Sequence, residues 1–347
     1  MCNIAGYVGK RNATQILIGM TRKQEGFWGG YYTGIATLDG ENIRSAKITG
    51  DLERLLSLTD TKSLGGNVGV MHSRSKSGGG DEWAHPFIGY EGETPQIAYV
   101  ANGGMCFFKS RQKEEEAIAD SLFLKGYRMD SRIEITKNRD YPTLSDGSAV
   151  HMSDVMCQLI LHHLKSDSTK EDAMEKSFCE LPAEIVGLTI SRALPDAIMY
   201  ARINMPMFVA FAEHGAYLAS SPIAFPDDAG EPILLPANSS GIVYADRYIS
   251  RDFTDAPCTI SKITEEVKEK AYKKICALLA TEDRSLPSLD KEIQSVFDAA
   301  NCQPTTALIY TILYEMYRKN EIKLTTEMLE GAKNGLAAPR IIISYNA

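Results

Sequence analysis

The sequence predicts an α+β protein in two parts, and three observations carry that reading. Over residues 1–255, short strand-like runs bounded by Gly, Asn and Asp are interspersed with segments of helical spacing. The later strand-like runs are joined by polar segments of turn length, as in an antiparallel sheet. After Pro257 the apolar spacing becomes helical, so residues 256–347 read as a smaller, mainly helical domain of unassigned role, with the boundary near 253–258.

The opening CNIAGYVG alternates as a strand does, and Ala13 to Lys23 has helical spacing. YYTGIATLDGENIRSAKI reads as a hairpin turning at Asp39-Gly40. Asp51 to Leu58 reads as a short helix capped by Asp51. Asn67 to His72 and Gln96 to Ala101 are apolar runs that end beside Gly-rich loops. Lys113 to Lys125 and Met152 to Leu164 have helical spacing, and the polar, irregular stretch 129–150 between them reads as an inserted loop. EIVGLTIS, DAIMYARI, MFVAFAEHGAYLAS and EPILLPANSSGIVYADRY supply the second β-rich stretch. Beyond it, Glu265 to Ala280, Ser288 to Ala300, Thr305 to Lys319 and Thr325 to Lys333 are expected helices, and RIIISY a closing strand.

Composition excludes several classes of function. Apolar residues make up 44% and charged residues 24% of the 347, in the range of globular proteins. The net charge is -8 with no basic stretch, which disfavours phosphate backbones, so no nucleic-acid partner is expected. No apolar run approaches the ~20 residues that span a bilayer, so no membrane partner is expected. The N-terminus lacks the charged-then-apolar pattern of a secretory signal, and a cytoplasmic location is the resulting expectation. The seven cysteines are scattered, odd in number and without a CxxC pair, which argues against a disulfide framework and a structural zinc site.

Cys2 stands apart by position. Loss of Met1 would leave it with a thiol and a free α-amine. A thiol attacks as thiolate, and its unperturbed pKa of about 8.5 is high for neutral pH. An α-amine titrates near 7.7–8.0, close enough to serve as the base. Nucleophile and base would then share one residue.

MCNIAGYVG resembles the start of the class II glutamine amidotransferases, the N-terminal-nucleophile family that includes the glucosamine-6-phosphate synthases. Cys2, Ile4, Gly6, Tyr7 and Gly9 carry that likeness. GIATLDG (34–40), VGVMHSRSKSGGGDEWAHPF (68–87), VANGG (100–104) and FVAFAEHGAYLASSPIAF (208–225) follow in the family's order. Each is weak alone, but the ordered set is specific and covers residues 1 to about 250.

The resemblance implies a four-layer αββα sandwich of the N-terminal-nucleophile hydrolases, glutamine as substrate, and no metal or organic cofactor. It also implies roles. Arg74 falls at the arginine that holds the glutamine α-carboxylate, a task suited to the planar guanidinium fork. Ser77 matches a threonine near the same end of the substrate. Asn102 and Gly103 match the oxyanion hole, where each donor stabilises the transition state by about 2.7–4 kcal/mol. His72 and His85 read as structural or substrate-proximal, because the terminal amine already fills the role of base. His162 and His163, adjacent on a helix, point different ways and do not form a metal pair.

Two departures matter. Trp28 stands where the family carries an arginine. Met152 stands where the family carries the aspartate that binds the substrate amine, so Asp154 takes the role, or Asp146 does, or the substrate is not an ordinary free amino acid; Asp154 is the preferred choice. The tail is too short for a phosphosugar isomerase domain and has the size of a small helical or winged-helix-like module. The expected partners are therefore a separate synthase subunit that accepts ammonia, or a second copy of the chain. Three functions remain open on the sequence: a glutaminase subunit, a hydrolase of another amide on the same fold, and a catalytically silent ligand-binding homologue.

Overall fold

Alternation along the strand Asn3–Gly9 sets the layers. Ile4 and Val8 point to one side and Ala5 and Tyr7 to the other, as a two-residue period requires, and all four are buried. A strand buried on both faces needs a layer above and below it. A computed structural model, which describes residues 2–76, 78–103, 111–134, 141–166, 169–182, 185–297, 302–333 and 335–346, supplies those layers.

The strand lies inside a seven-stranded antiparallel sheet. The order across that sheet is Ile233–Leu234, Phe208–Ala212, Gly215–Ala219, Asn3–Gly9, Val68–Arg74, Tyr32–Asp39 and Asn42–Thr49. A second sheet of six antiparallel strands runs Tyr248–Asp252, Ser239–Tyr244, Leu194–Arg202, Val186–Ser191, Thr94–Asn102 and Phe87–Glu91. Ile4, Val8, Val70 and Leu218 of the first sheet meet Ala98, Val100, Leu188 and Ile198 of the second in a core between them. Gly6 permits the close approach, because a Cβ there would stand 3.0 Å from Leu188 Cδ1.

Helices cover both outer faces. Helix Ala13–Gln24, capped by Asn12, and helix Leu52–Leu58, capped by Asp51, lie on the first sheet. Helix Gln112–Leu124 packs on Met152–Lys165, which lies on the second sheet together with Lys170–Glu180. The last of these is missing from the sequence reading, although Thr169 and Asp172 form a capping box at its start. The order of layers is α, β, β, α.

The C-terminal part departs from a mainly helical reading. Helices Glu265–Leu279, Leu286–Ile293 and Thr305–Arg318 are followed by a long hairpin, Ile322–Lys333 with Leu336–Tyr345, which also pairs with Arg284–Ser285. Residues 325–333, expected as a helix, are therefore strand. An isolated RIIISY strand would leave its ladder unpaired, and pairing with 322–333 satisfies it, which outweighs weak helical spacing. Of the helix expected over 288–300, the structure shows helix Leu286–Ile293 and then a 3-10 turn at Gln294–Val296, and 298–300 lie outside the described residues.

This helix–strand–helix–helix–hairpin order is that of a winged helix. Its third helix is buried along Thr305–Tyr310 and packs against the first part of the chain. Tyr310 meets Phe27 edge-on at 5.5 Å, and Ile341 N donates to Gly26 O at 2.9 Å. One apolar core runs across this seam.

Candidate functional site

Strand parity brings the first site residues together. Cys2 precedes Ile4 by two residues and shares its inner side. Ile4 pairs with His72, and Asn102 continues the inner row of Ala98 and Val100. The three residues thus converge between the two sheets, at one end of the sandwich.

Asn102 grips Cys2 at both ends of its backbone. Cys2 N donates to Asn102 Oδ1 at 2.9 Å, and Asn102 Nδ2 donates to Cys2 O at 2.9 Å. Cys2 Sγ lies 3.7 Å from Ser75 Oγ. Burial by itself would push the Cys2 thiol up. His72 beside it, together with the chain's amino terminus and Ser75, outweighs burial and brings the thiol down to about 6.

The role of His72 Nε2 follows from its partner. Nε2 lies 2.8 Å from Ala101 O, a carbonyl that can only accept, so Nε2 carries the proton. Nδ1 is buried and makes no hydrogen bond among the described residues. His85 lies tilted against His72 with ring centroids 3.9 Å apart, and its ring centroid is 5.4 Å from that of His151. Burial, reinforced by its histidine neighbours, Arg74 and Lys47, holds His85 neutral, with its pKa far below the usual value. His85 thus backs His72 as an uncharged ring.

Arg74 is 3% exposed, and part of its fork is engaged. Nη1 donates to Trp83 O at 2.9 Å and Gly78 O at 3.3 Å, Nη2 donates to Tyr141 OH at 3.2 Å, and the guanidinium lies over the Tyr32 ring at 4.6 Å. Arg74 therefore ties the Gly-rich loop to the inserted segment. Nε and one Nη2 hydrogen are not used by these bonds.

Gly103 follows Asn102 at the strand end with φ 140°, a conformation that glycine adopts without strain. Ser77 lies outside the described residues. Asp154 is buried, and its oxygens accept from Ser131 N and Gln158 Nε2, each at 2.9 Å. Asp146 sits at an exposed turn, where it accepts from Ser148 N at 2.9 Å and pairs with Arg132 at 3.6 Å. The structure thus joins Cys2 to Asn102 and, separately, Arg74 to the Gly-rich loop, and it holds Asp154 within the helical layer. Met152 is buried in that same layer. Trp28 leans on the core shared with the C-terminal part.

The structure sets His72 beside Cys2, a placement the sequence reading does not give. Its parity with Arg74 on one strand is legible in the sequence, whereas its place opposite Ile4, two residues from Cys2, is set by the sheet register. Glu25 was not singled out at all. Its carboxylate accepts from Ser73 Oγ at 2.7 Å and Leu52 N at 3.1 Å, and Ser73 Oγ accepts from Gly30 N at 2.7 Å, so it anchors the loop that carries Trp28. Burial, aided by Asp51, pushes Glu25 up to about 7 against these hydrogen bonds.

The four-layer sandwich, with a cysteine at the head of an inner strand and an asparagine–glycine pair facing it, defines the class: the chain has the N-terminal-nucleophile amidotransferase fold. No protein-family model matches it. It is 25% identical over 255 residues to a glutamine–fructose-6-phosphate aminotransferase (isomerizing) of Chlorobaculum tepidum, covering 72% of this chain and 37% of that protein. It is 24% identical over 279 residues to the enzyme of the same name from Thermococcus kodakarensis, covering 78% and 41%. The chain therefore spans well under half the length of these relatives. Among solved structures it matches the glutamine phosphoribosylpyrophosphate amidotransferase from B. subtilis with TM-score 0.58 and 17% identity, covering 85% of this chain and 64% of the other. The chain is thus similar in sequence to part of the glutamine–fructose-6-phosphate aminotransferases and similar in fold to a solved amidotransferase.

Proposed function

We propose that this chain, once Met1 is removed, hydrolyses the side-chain amide of glutamine with Cys2 as nucleophile, and that the ammonia passes to an acceptor on a separate synthase. The observation that carries the reading is the two-point hold of Asn102 on the Cys2 backbone, with the thiol brought down to about 6 beside His72. The Cys2 thiolate attacks the amide carbon, and the electron pair of the C=O bond moves to oxygen. The Asn102 side-chain amide, which has a second N–H beyond the one bound to Cys2 O, and the Gly103 N–H stabilise that oxyanion. The C–N bond then breaks, the departing nitrogen takes a proton from the α-amine that Asn102 orients, and water hydrolyses the thioester to glutamate and the free thiol. Arg74 offers its remaining donors to the substrate carboxylate, and Ser77 adds a hydroxyl nearby.

The test is glutamate release from glutamine by the protein with its N-terminus verified by mass. Cys2→Ala should abolish it, and persistence of turnover in that variant sinks the reading.

A second reading is favoured by Asp154. With its oxygens bound to Ser131 and Gln158, the α-amine of a free amino acid has no assigned partner among the described residues. A substituted amide that lacks this amine would then be the substrate. Cys2-dependent turnover in an amide panel that excludes glutamine selects this reading over the first.

A further inference from the structure

Two cysteines far apart in the chain meet where the C-terminal part joins the sandwich. Cys302 Sγ lies 2.6 Å from Cys258 Sγ, across 44 positions of sequence. The backbone holds both in place. Ile260 forms a parallel bridge with Cys302, Ser261 N donates to Cys302 O at 3.1 Å, and Asn238 Nδ2 donates to Cys258 O at 2.8 Å. Cys302 is 1% exposed, whereas Cys258 is part-exposed and lines an open cavity of about 770 Å³ with Arg202, Asn238, Lys262 and Pro304.

We propose that Cys258 and Cys302 are a redox modification site, forming a reversible disulfide with a small-molecule disulfide such as glutathione disulfide as oxidant. The more accessible Cys258 attacks first, through the cavity. Its thiolate displaces one glutathione thiol and leaves a mixed disulfide. The Cys302 thiolate then attacks the Cys258 sulfur, the second glutathione leaves, and the two protons lost from the cysteines end on the two glutathione thiols. The protein pair loses two electrons and the glutathione disulfide gains them. The bond closes a loop holding helices Glu265–Leu279 and Leu286–Ile293, and fastens the linker to the segment that leads into helix Thr305–Arg318. Constraining that loop in the unfolded chain raises thermal stability. Because none of this uses Cys2, it stands or falls apart from the glutaminase reading.

The test uses the full chain, equilibrated in glutathione buffers from reducing to oxidising, quenched with N-ethylmaleimide in denaturant so that buried thiols react, and mapped by mass spectrometry without reduction. The expected result is a linked peptide pair carrying Cys258 and Cys302, with Cys157, Cys179 and Cys276 alkylated, and a melting midpoint several degrees higher in the oxidised protein. In Cys302→Ser, Cys258 should stop at the glutathione adduct. Alkylation of both cysteines in the oxidising buffer, or pairing of either with a different cysteine, would overturn the proposal. So would a Cys258 adduct in the wild-type chain that never resolves.

Discussion

Replacing His72 by Gln tests the electrostatic basis of the site. A Gln amide nitrogen reaches about where imidazole Nε2 lies, so donation to Ala101 O can survive while the neighbour that lowers the Cys2 thiol is removed. With the thiol at about 6, roughly 90% is thiolate at pH 7; at the ordinary value of 9.0 it would be about 1%. That is about a 90-fold loss of the reactive form. A more basic thiolate is also intrinsically faster, by about 16- to 32-fold over three pH units for a Brønsted slope of 0.4–0.5. If the substitution restores the ordinary value, the two effects leave a net loss of only about 3- to 6-fold at pH 7. The rate at one pH is therefore a poor discriminator, whereas the midpoint of the profile is a good one. The assay is alkylation of Cys2 by iodoacetamide from pH 5 to 9.5, followed by peptide mass, with circular dichroism to confirm folding. The wild-type midpoint should lie near 6 and the variant's well above 8. A folded variant whose midpoint stays near 6 would refute the role given to His72.

Other expectations follow from the same contacts. Asn102→Ala removes a proposed oxyanion donor and the hold on the Cys2 amine, and should lower kcat by about 10²–10³ with little change in KM, measured by glutamate release. Gly30→Ala places a Cβ 2.5 Å from Pro339 Cδ at φ +96°, and should destabilise by about 1–3 kcal/mol, read from the urea midpoint. Glu25 is held up to about 7, so between its unfolded value near 4.5 and 7 the native state binds the extra proton. Its contribution to stability is full below pH 4.5 and is lost as pH rises to 7, a change of at most about 3 kcal/mol. Glu25→Gln should remove that slope, so the wild-type advantage over the variant shrinks across this window and stays flat above it, as urea titrations at several pH values would register. An advantage that grows with pH would contradict the account.

Much of the fold was legible because it is written in short-range period. The two-residue alternation of Asn3–Gly9 and the Asp39-Gly40 turn fixed strands, and Asp51 fixed a helix start. Segment 325–333 was misread because its spacing is ambiguous and its strand state depends on a partner lying after the turn. For the candidate site, motif order points to Cys2 and Asn102, whereas the surroundings of His72 are not written in any local pattern. A histidine's chemistry depends on which nitrogen is engaged, and that depends on a carbonyl from another sheet.

By itself the sequence determined the periodicities, the sides on which side chains fall, and the ordered motifs that mark an amidotransferase-like chain. Only the tertiary structure decided which of those sides meet. The Cys2–Asn102 contact spans 100 positions and the Cys258–Cys302 contact spans 44. Contacts at such separations follow from the register of whole sheets and the packing of layers, which no local period encodes. The pKa of the thiol belongs to the same category, because burial and a neighbouring ring act on it only once the two sheets have closed.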